Sequence, residues 1–176
     1  MKSRQIALCG VLSALAVVIL LAGGLVPIAT FCAPLIAMGV LLPVLPECGA
    51  AAAGVAWAAV SLLALLLVPD REMALVYVCF GWYPILRPHL AAIRSKILRL
   101  AARLAVCDLT IALLYGVLIR LLGVSEAASE LAGASPLLTA ALLLGGNLVF
   151  FCMDLVLARL TLLWQRTLRR RLFRRS

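Results

Sequence analysis

The stretch Tyr83-Pro-Ile-Leu-Arg-Pro-His-Leu-Ala-Ala-Ile-Arg-Ser-Lys-Ile-Leu-Arg-Leu-Ala-Ala-Arg103 decides how this chain is arranged. It is a helix-compatible basic connector between two long apolar segments. Its cationic residues are Arg87, Arg94, Lys96, Arg99 and Arg103. Short loops rich in lysine and arginine stay on the cytoplasmic side of a membrane during insertion. The basic connector therefore predicts an orientation, and the other segments follow by counting outward from it.

The composition is that of a membrane protein. Hydrophobic residues make up 66% of the 176 residues and charged residues 13%, and the mean hydropathy is +1.19. So few polar residues cannot cover the surface of a water-soluble protein. Since a spanning helix needs about 20 apolar residues, the chain has room for about six spans with short loops. We predict a single all-α membrane domain over residues 1–176, with no separate soluble domain.

Six apolar segments, separated by glycine, proline and charged residues, are the predicted transmembrane helices. Pro34 and Pro43 lie within the second segment, and this helix is expected to be kinked because proline removes a backbone donor. The first segment also resembles a signal peptide, but the five apolar segments after it favour an uncleaved helix. The approximate spans are 5–22, 28–45, 49–68, 73–92, 97–122 and 136–163, followed by a basic tail over 164–176.

The distribution of charges supports six spans. With the basic connector in the cytoplasm, both termini are cytoplasmic and 14 of the 16 basic residues fall on that side. Arg71 and Arg120 are the two that fall outside, close to acidic residues. A five-span or seven-span arrangement would break this agreement. Cytoplasmic loops and anionic lipid head groups thus account for the net charge of +9, and we predict no nucleic-acid partner.

Two carboxylates lie inside apolar segments, where an ionisable group is costly. Asp108 follows Arg103 by five residues and Asp154 precedes Arg159 by five, which places both carboxylates about 7 Å from a basic boundary. Five residues turn a helix through roughly 140°, so neither aspartate faces the arginine of its own helix. We expect a charge clasp between helices, joining Asp108 to Arg159, or Asp154 to Arg103 or Arg87. A coupling or gating role for the clasp and a proton relay are the alternatives.

Other candidate residues are uncharged. Ala7, Gly10 and Ala14 form a small-residue stripe on the first helix, and such stripes let helix backbones approach closely. Its partner is either another helix of this chain or a second protein. Asn147 follows two glycines, and its amide suits an interhelical hydrogen bond or a ligand contact. Tyr77, towards the outer side, suits either an aromatic belt or stacking on a ligand.

No motif for chemistry is found in the sequence. It has no Walker loop, its only histidine is His89, and its six cysteines include no Cys-x-x-Cys pair. Histidines, cysteines and acids do not have the spacing of a metal site. We therefore predict no enzyme activity, no metal site and no cofactor, and we interpret the cysteines as small buried hydrophobic residues.

The opening Arg4-Gln-Ile-Ala-Leu-Cys-Gly-Val-Leu-Ser-Ala-Leu-Ala16 resembles the small-residue first helix of the substrate-binding S components of energy-coupling factor (ECF) vitamin transporters. Length and predicted span number are similar too. The segments Leu67-Val-Pro-Asp-Arg-Glu-Met-Ala-Leu75 and Gly81-Trp-Tyr-Pro-Ile-Leu86 are similar to stretches of small bacterial membrane proteins of this type. The resemblance implies a multi-pass protein of the bacterial cytoplasmic membrane that captures a micronutrient, with a transmembrane coupling subunit and two ATPases as partners.

Carried onto this sequence, the resemblance implies docking on the coupling subunit through the small-residue stripe. It also implies a ligand site on the outer side, near Tyr77, Asn147 and Arg71, for a substrate that the residues do not identify. The first outer loop, residues 23–27, is short and apolar, whereas family members often close a longer loop over the substrate. The alternative is a non-transporting structural subunit of a bacterial cell-envelope complex, which would use the stripe and the clasp for interaction alone.

Overall fold

The computed structural model describes residues 3–26, 29–122 and 136–164. Within these ranges the regular structure is entirely helical, so the prediction of an all-α protein is confirmed for them. The helices are α1 (Ser3–Gly23), α2 (Cys32–Leu41), α3 (Val44–Cys48), α4 (Ala50–Leu67), α5 (Arg71–Phe80), α6 (Tyr83–Ala91), α7 (Lys96–Leu122) and α8 (Pro136–Leu163).

Among the described residues, three helical segments are long and apolar enough to cross a membrane: α1, α4 and Leu144–Leu163 of α8. In an apolar 18-residue stretch of each, only 22%, 28% and 17% of the residues, respectively, are buried inside the protein. Apolar surface of this extent is unfavourable in water, whereas the hydrocarbon of a bilayer matches it. The three segments therefore indicate a membrane protein.

The second predicted span is divided into α2 and α3. The division lies at Leu42 and Pro43, where the Leu42 N–H donates to the Gly39 carbonyl at 3.3 Å in a tightened last turn. Pro43 and Pro46 have no N–H to donate, so regular helical hydrogen bonding cannot continue through this region. Of the two prolines expected to kink this segment, Pro43 lies at the interruption, whereas Pro34 lies in the first turn of α2 and does not interrupt the helix.

The fourth predicted span, 73–92, differs from the expectation of one helix, because α5 ends at Phe80 and α6 begins at Tyr83. The Trp82 indole N–H donates to the Cys79 carbonyl at 2.5 Å. That carbonyl is the acceptor that the Tyr83 N–H would use in a continuous helix. Pro84 then favours a new first turn, where its missing N–H costs nothing.

The chain forms two compact units, which are described separately. In the first, residues 3–87 with 155–164, α1 packs on α2 and α4, and α4 packs on α5. Close approach of α1 and α2 needs Gly23, because a Cβ at this position would collide with the Cβ of Ala33. The buried core of this unit is built largely from small and medium side chains, among them Ala16, Leu20, Ala37, Met38, Val60, Ala64 and Met73.

The second unit, residues 88–154, contains α7 and the first part of α8. Hydrogen bonds join residue 103 to residue 154 and residue 108 to residue 147, so the two helices run antiparallel. Ser95 precedes α7, and its side-chain oxygen accepts from the Leu98 N–H at 3.4 Å. A serine in this position satisfies a backbone donor that has no partner within the helix.

Candidate functional site

The small-residue stripe on α1 is exposed along its length: Ala7, Gly10 and Ala14 are all accessible. A Cβ added at Gly10 would meet no atom within 4 Å. The buried residues of α1, which include Ala16 and Leu20, lie nearer its C-terminal end. The helices in the described ranges therefore leave the stripe uncovered, and it is available to lipid or to a second protein.

Arg103 and Asp154 join α7 to α8. The Arg103 Nη1 donates to the Asp154 Oδ2 at 2.8 Å, a distance typical of a charge-assisted hydrogen bond. Asp154 is only 5% exposed. Of the clasp residues chosen from the sequence, the structure brings this pair together, while Arg159 is exposed on α8.

A second polar contact joins the same two helices. The Asn147 Nδ2 donates to the Asp108 Oδ1 at 3.0 Å. Close by, a Cβ at Gly146 would lie 3.3 Å from the Ile111 Cδ1, so the glycine leaves room for the side chain from α7. Of the two roles expected for Asn147, the structure contains the interhelical hydrogen bond, and its partner is Asp108, the second carboxylate expected in the clasp. The clasp and this contact form two successive polar levels between α7 and α8.

Tyr77 and Arg71, both predicted near a ligand, lie on different faces of α5. Tyr77 is 0% exposed, and its hydroxyl has no hydrogen-bond partner in the described part of the chain. Arg71 is exposed in the first turn. This turn is capped by Asp70, whose Oδ1 accepts from the Met73 N–H and whose Oδ2 accepts from the Thr30 hydroxyl, both at 3.1 Å. The structure thus does not bring Tyr77 and Arg71 onto one surface.

Two polar side chains of α4, Trp57 and Ser61, did not emerge from the sequence. The Trp57 Nε1 and the Ser61 Oγ are buried and have no hydrogen-bond partner among the described residues. They are four residues apart and so share one face of α4. Polar groups at this spacing on an otherwise apolar helix were the signal that could have identified them. Since α4 packs on α5, both helices contribute unpaired buried donors to the first unit.

Trp57 also lines a small cavity together with Leu42, Gly81 and Ile85. Its volume is about 20 Å³, enough for about one water molecule. Pockets for small-molecule ligands usually measure about 300–1,000 Å³. This cavity therefore does not accommodate a vitamin-sized ligand.

In the described ranges, no group of three or more histidine, cysteine or acidic residues is placed to hold a metal ion. Comparison with known proteins found no matching protein-family model, no matching curated protein and no matching solved structure. The features of the described residues that bear on function are the exposed stripe, the two polar levels between α7 and α8, and the buried donors of α4 and α5.

Proposed function

We propose that this chain is the membrane-embedded substrate-capture subunit of an ECF-type importer. It crosses the bacterial cytoplasmic membrane six times, with both termini in the cytoplasm. It binds a small micronutrient near the outer face and docks on a transmembrane coupling subunit. Separate ATPases power the importer, and the chain itself catalyses no reaction.

The exposed small-residue stripe is the observation that carries this proposal. Lipid tails are as apolar as leucine side chains. A bilayer therefore gives small side chains no advantage over large apolar ones on an exposed helix face. A second helix does benefit, because Gly10 and Ala14 allow its backbone to come close and increase van der Waals contact. The stripe on α1 therefore favours docking of another membrane helix.

The basic connector supports the proposed orientation. Arg94 and Lys96 are exposed where the chain passes from α6 to α7. Exposed cations next to a membrane segment interact favourably with anionic head groups, by about 1 kcal/mol each near the surface. With the connector on the cytoplasmic side, this interaction and the positive-inside rule act in the same direction.

A structural subunit of a cell-envelope complex is the second candidate, and the contacts near Asp70 favour it. The Thr30 hydroxyl ties the loop before α2 to Asp70 at the start of α5. A Cβ at Gly24 would lie 3.0 Å from Val68 and 3.3 Å from Pro69, so these two loops also pack closely. Tightly joined loops suit a permanent structural part better than an entrance for substrate.

Replacing small residues of the stripe with leucine tests docking without disturbing the core of the chain. In Gly10→Leu/Ala14→Leu, two large side chains would hold a partner helix away from α1. We expect the ATPase activity that co-purifies from native membranes to fall at least about tenfold, equivalent to losing about 1.4 kcal/mol of binding free energy. Gly54→Leu is the matched control, because a Cβ at Gly54 also meets nothing within 4 Å but lies on α4.

Equal ATPase recovery with the stripe variant and with the control would rule out docking through α1. Elution with envelope proteins and without ATPase activity would instead establish the structural alternative. Size-exclusion chromatography in detergent checks that each variant is folded. Native mass spectrometry of the gently purified chain tests substrate capture, for which we expect a retained small molecule.

A further inference from the structure

The beginning of α1 meets the end of α3 through two hydrogen bonds. The Gln5 Nε2 donates to the Glu47 carbonyl at 2.7 Å. In the opposite direction, the Cys48 thiol donates to the Gln5 carbonyl at 3.6 Å. Cys9 follows Gln5 by one helical turn and lies on the same face of α1. These contacts bring two cysteines together that are far apart in the sequence.

Cys9 and Cys48 are neighbours in the structure, because the Cys48 Sγ lies 3.6 Å from the carbonyl oxygen of Gln5, one helical turn before Cys9. Both pack against the buried cluster of Val44, Ala53 and Ala56, where α1, α3 and α4 meet. Both thiols are free, and both are partly exposed, so a small oxidant can reach them. Two thiols that pack against a common core are candidates for a disulfide, which needs Cα atoms about 4.4–6.8 Å apart.

The surroundings of Cys48 disfavour its thiolate. Burial above all, and then the neighbouring Cys9 thiol and Glu47 carboxylate, raise the pKa of the Cys48 thiol to about 11. The thiolate is the nucleophilic form of cysteine, and Cys48 is therefore almost entirely in the unreactive thiol form at neutral pH.

We propose that Cys9 and Cys48 are an oxidisable dithiol that closes a disulfide between α1 and α3 on exposure to peroxide. The Cys9 thiolate attacks the O–O bond, forming a sulfur–oxygen bond and releasing hydroxide, which leaves Cys9 as a sulfenic acid. The small fraction of Cys48 present as thiolate then attacks the Cys9 sulfur, the S–S bond forms, and the sulfenic oxygen takes up a proton and leaves as water. In total, two thiols and one hydrogen peroxide give one disulfide and two waters.

The physiological role of this pair rests on the proposed topology, whereas the pairing itself does not. In that topology, the start of α1 and the end of α3 face the cytoplasm, where reducing systems keep thiols reduced. The bond is then transient, formed under oxidative conditions and removed afterwards. Because α1 also carries the small-residue stripe, the disulfide fixes the proposed docking helix to the rest of its unit.

The test uses the full chain purified in detergent, reduced, freed of reductant and treated with hydrogen peroxide. Remaining thiols are blocked with N-ethylmaleimide, and linked peptides are identified by mass spectrometry. We expect the Cys9–Cys48 peptide to be the main internal cross-link of the unmodified chain. It should persist in Cys32→Ser, the control on α2, and be lost in Cys9→Ser.

Dimedone, which traps sulfenic acid, tests the order of the steps. Cys48→Ser should accumulate dimedone-labelled Cys9, while Cys9→Ser should show at least about tenfold less labelling at Cys48 because its raised pKa suppresses the thiolate. Absence of the Cys9–Cys48 peptide from the oxidised unmodified chain would overturn the proposal. Because no partner protein is present, that result would leave docking through the stripe unaffected.

Discussion

At the scale of single residues, the contact between Arg103 and Asp154 has the largest energetic consequence. A charge taken out of water is unfavourable unless it is paired, and removal of one partner leaves the other uncompensated. Asp154 is 5% exposed and receives the Arg103 guanidinium at 2.8 Å. Asp108 is exposed and receives a neutral amide from Asn147. The two carboxylates therefore differ in how much the fold depends on them.

Arg103→Leu should destabilise the chain by about 3 kcal/mol, because it removes the charged partner of the buried Asp154 carboxylate. Arg103→Leu/Asp154→Leu should recover most of this loss, since apolar residues of similar volume often replace a buried ion pair without cost. Thermal unfolding in detergent measures both variants. Asp108→Asn is the control and should shift the unfolding temperature far less.

If the pair of Arg103 and Asp154 holds α7 to α8, Arg103→Leu must unfold at a lower temperature than both the double variant and Asp108→Asn. Unfolding of Arg103→Leu at the temperature of the unmodified chain would show that the charge pair does not hold α7 to α8. An unstable single variant together with an equally unstable double variant would assign the loss to packing of the Arg103 stem rather than to charge.

At the scale of the helices, the interruption between α5 and α6 is the least expected feature. In a membrane, backbone groups freed by an interruption need partners within the protein. Here the Gly81 N–H donates to the Tyr77 carbonyl at 2.7 Å, and the Ile85 N–H donates to the Trp82 carbonyl at 3.0 Å. The Trp82 indole bonds the Cys79 carbonyl. The interruption is thus supplied with hydrogen bonds from its own residues.

Gly81 is where this interruption is most sensitive to substitution. A Cβ would lie 2.5 Å from the Tyr77 carbonyl oxygen and 2.8 Å from the Trp57 Cδ1. Gly81→Ala should therefore destabilise the chain by about 1–3 kcal/mol, the usual cost of overpacking. Gly54→Ala, on the open face of α4, should instead be neutral or stabilising by up to about 1 kcal/mol, because alanine favours a helix. Equal unfolding temperatures for these two variants would contradict the contact between Gly81 and Trp57.

Some helices could be predicted closely from the sequence because their signal is local. The predicted segments 5–22 and 49–68 correspond to α1 and α4, each an uninterrupted apolar stretch. The division of 73–92 could not be predicted from periodicity, because it involves the Trp82 indole and the contact of Trp57 with Gly81. Pro43 marked the interruption of the second segment, whereas Gly81 alone is compatible with a continuous membrane helix.

The candidate site was predictable to a similar extent. Spacing along two helices limited the clasp to a few pairs, but the choice of Arg103 with Asp154 depends on how α7 and α8 rotate against each other. Tyr77 was expected either in an aromatic belt or stacked on a ligand, whereas the structure buries it completely. Cys9 and Cys48 were interpreted individually, and their contact depends on the fold.

At the scale of the whole molecule, the proposed six-span topology depends on whether the α5–α6 segment crosses the membrane. The two helices contain 10 and 9 residues, and neither alone is long enough to cross about 30 Å of hydrocarbon. Residues 71–91 together would extend about 30 Å if they continued in one direction. A crossing places the loop before α5 outside and the basic connector inside, whereas a re-entrant segment places both on one side.

Cysteine labelling distinguishes a crossing from a re-entrant segment. Glu72→Cys and Ala92→Cys, both at exposed positions, are introduced separately into a chain whose six native cysteines are replaced by alanine. With a membrane-impermeant maleimide, we expect intact spheroplasts to label Glu72→Cys and inside-out vesicles to label Ala92→Cys. Labelling of both variants from the same side would exclude the six-span arrangement. The reverse result, with Ala92→Cys labelled in spheroplasts and Glu72→Cys in inside-out vesicles, would still show that the segment crosses the membrane. It would contradict the cytoplasmic assignment of the basic connector, which rests on the positive-inside rule.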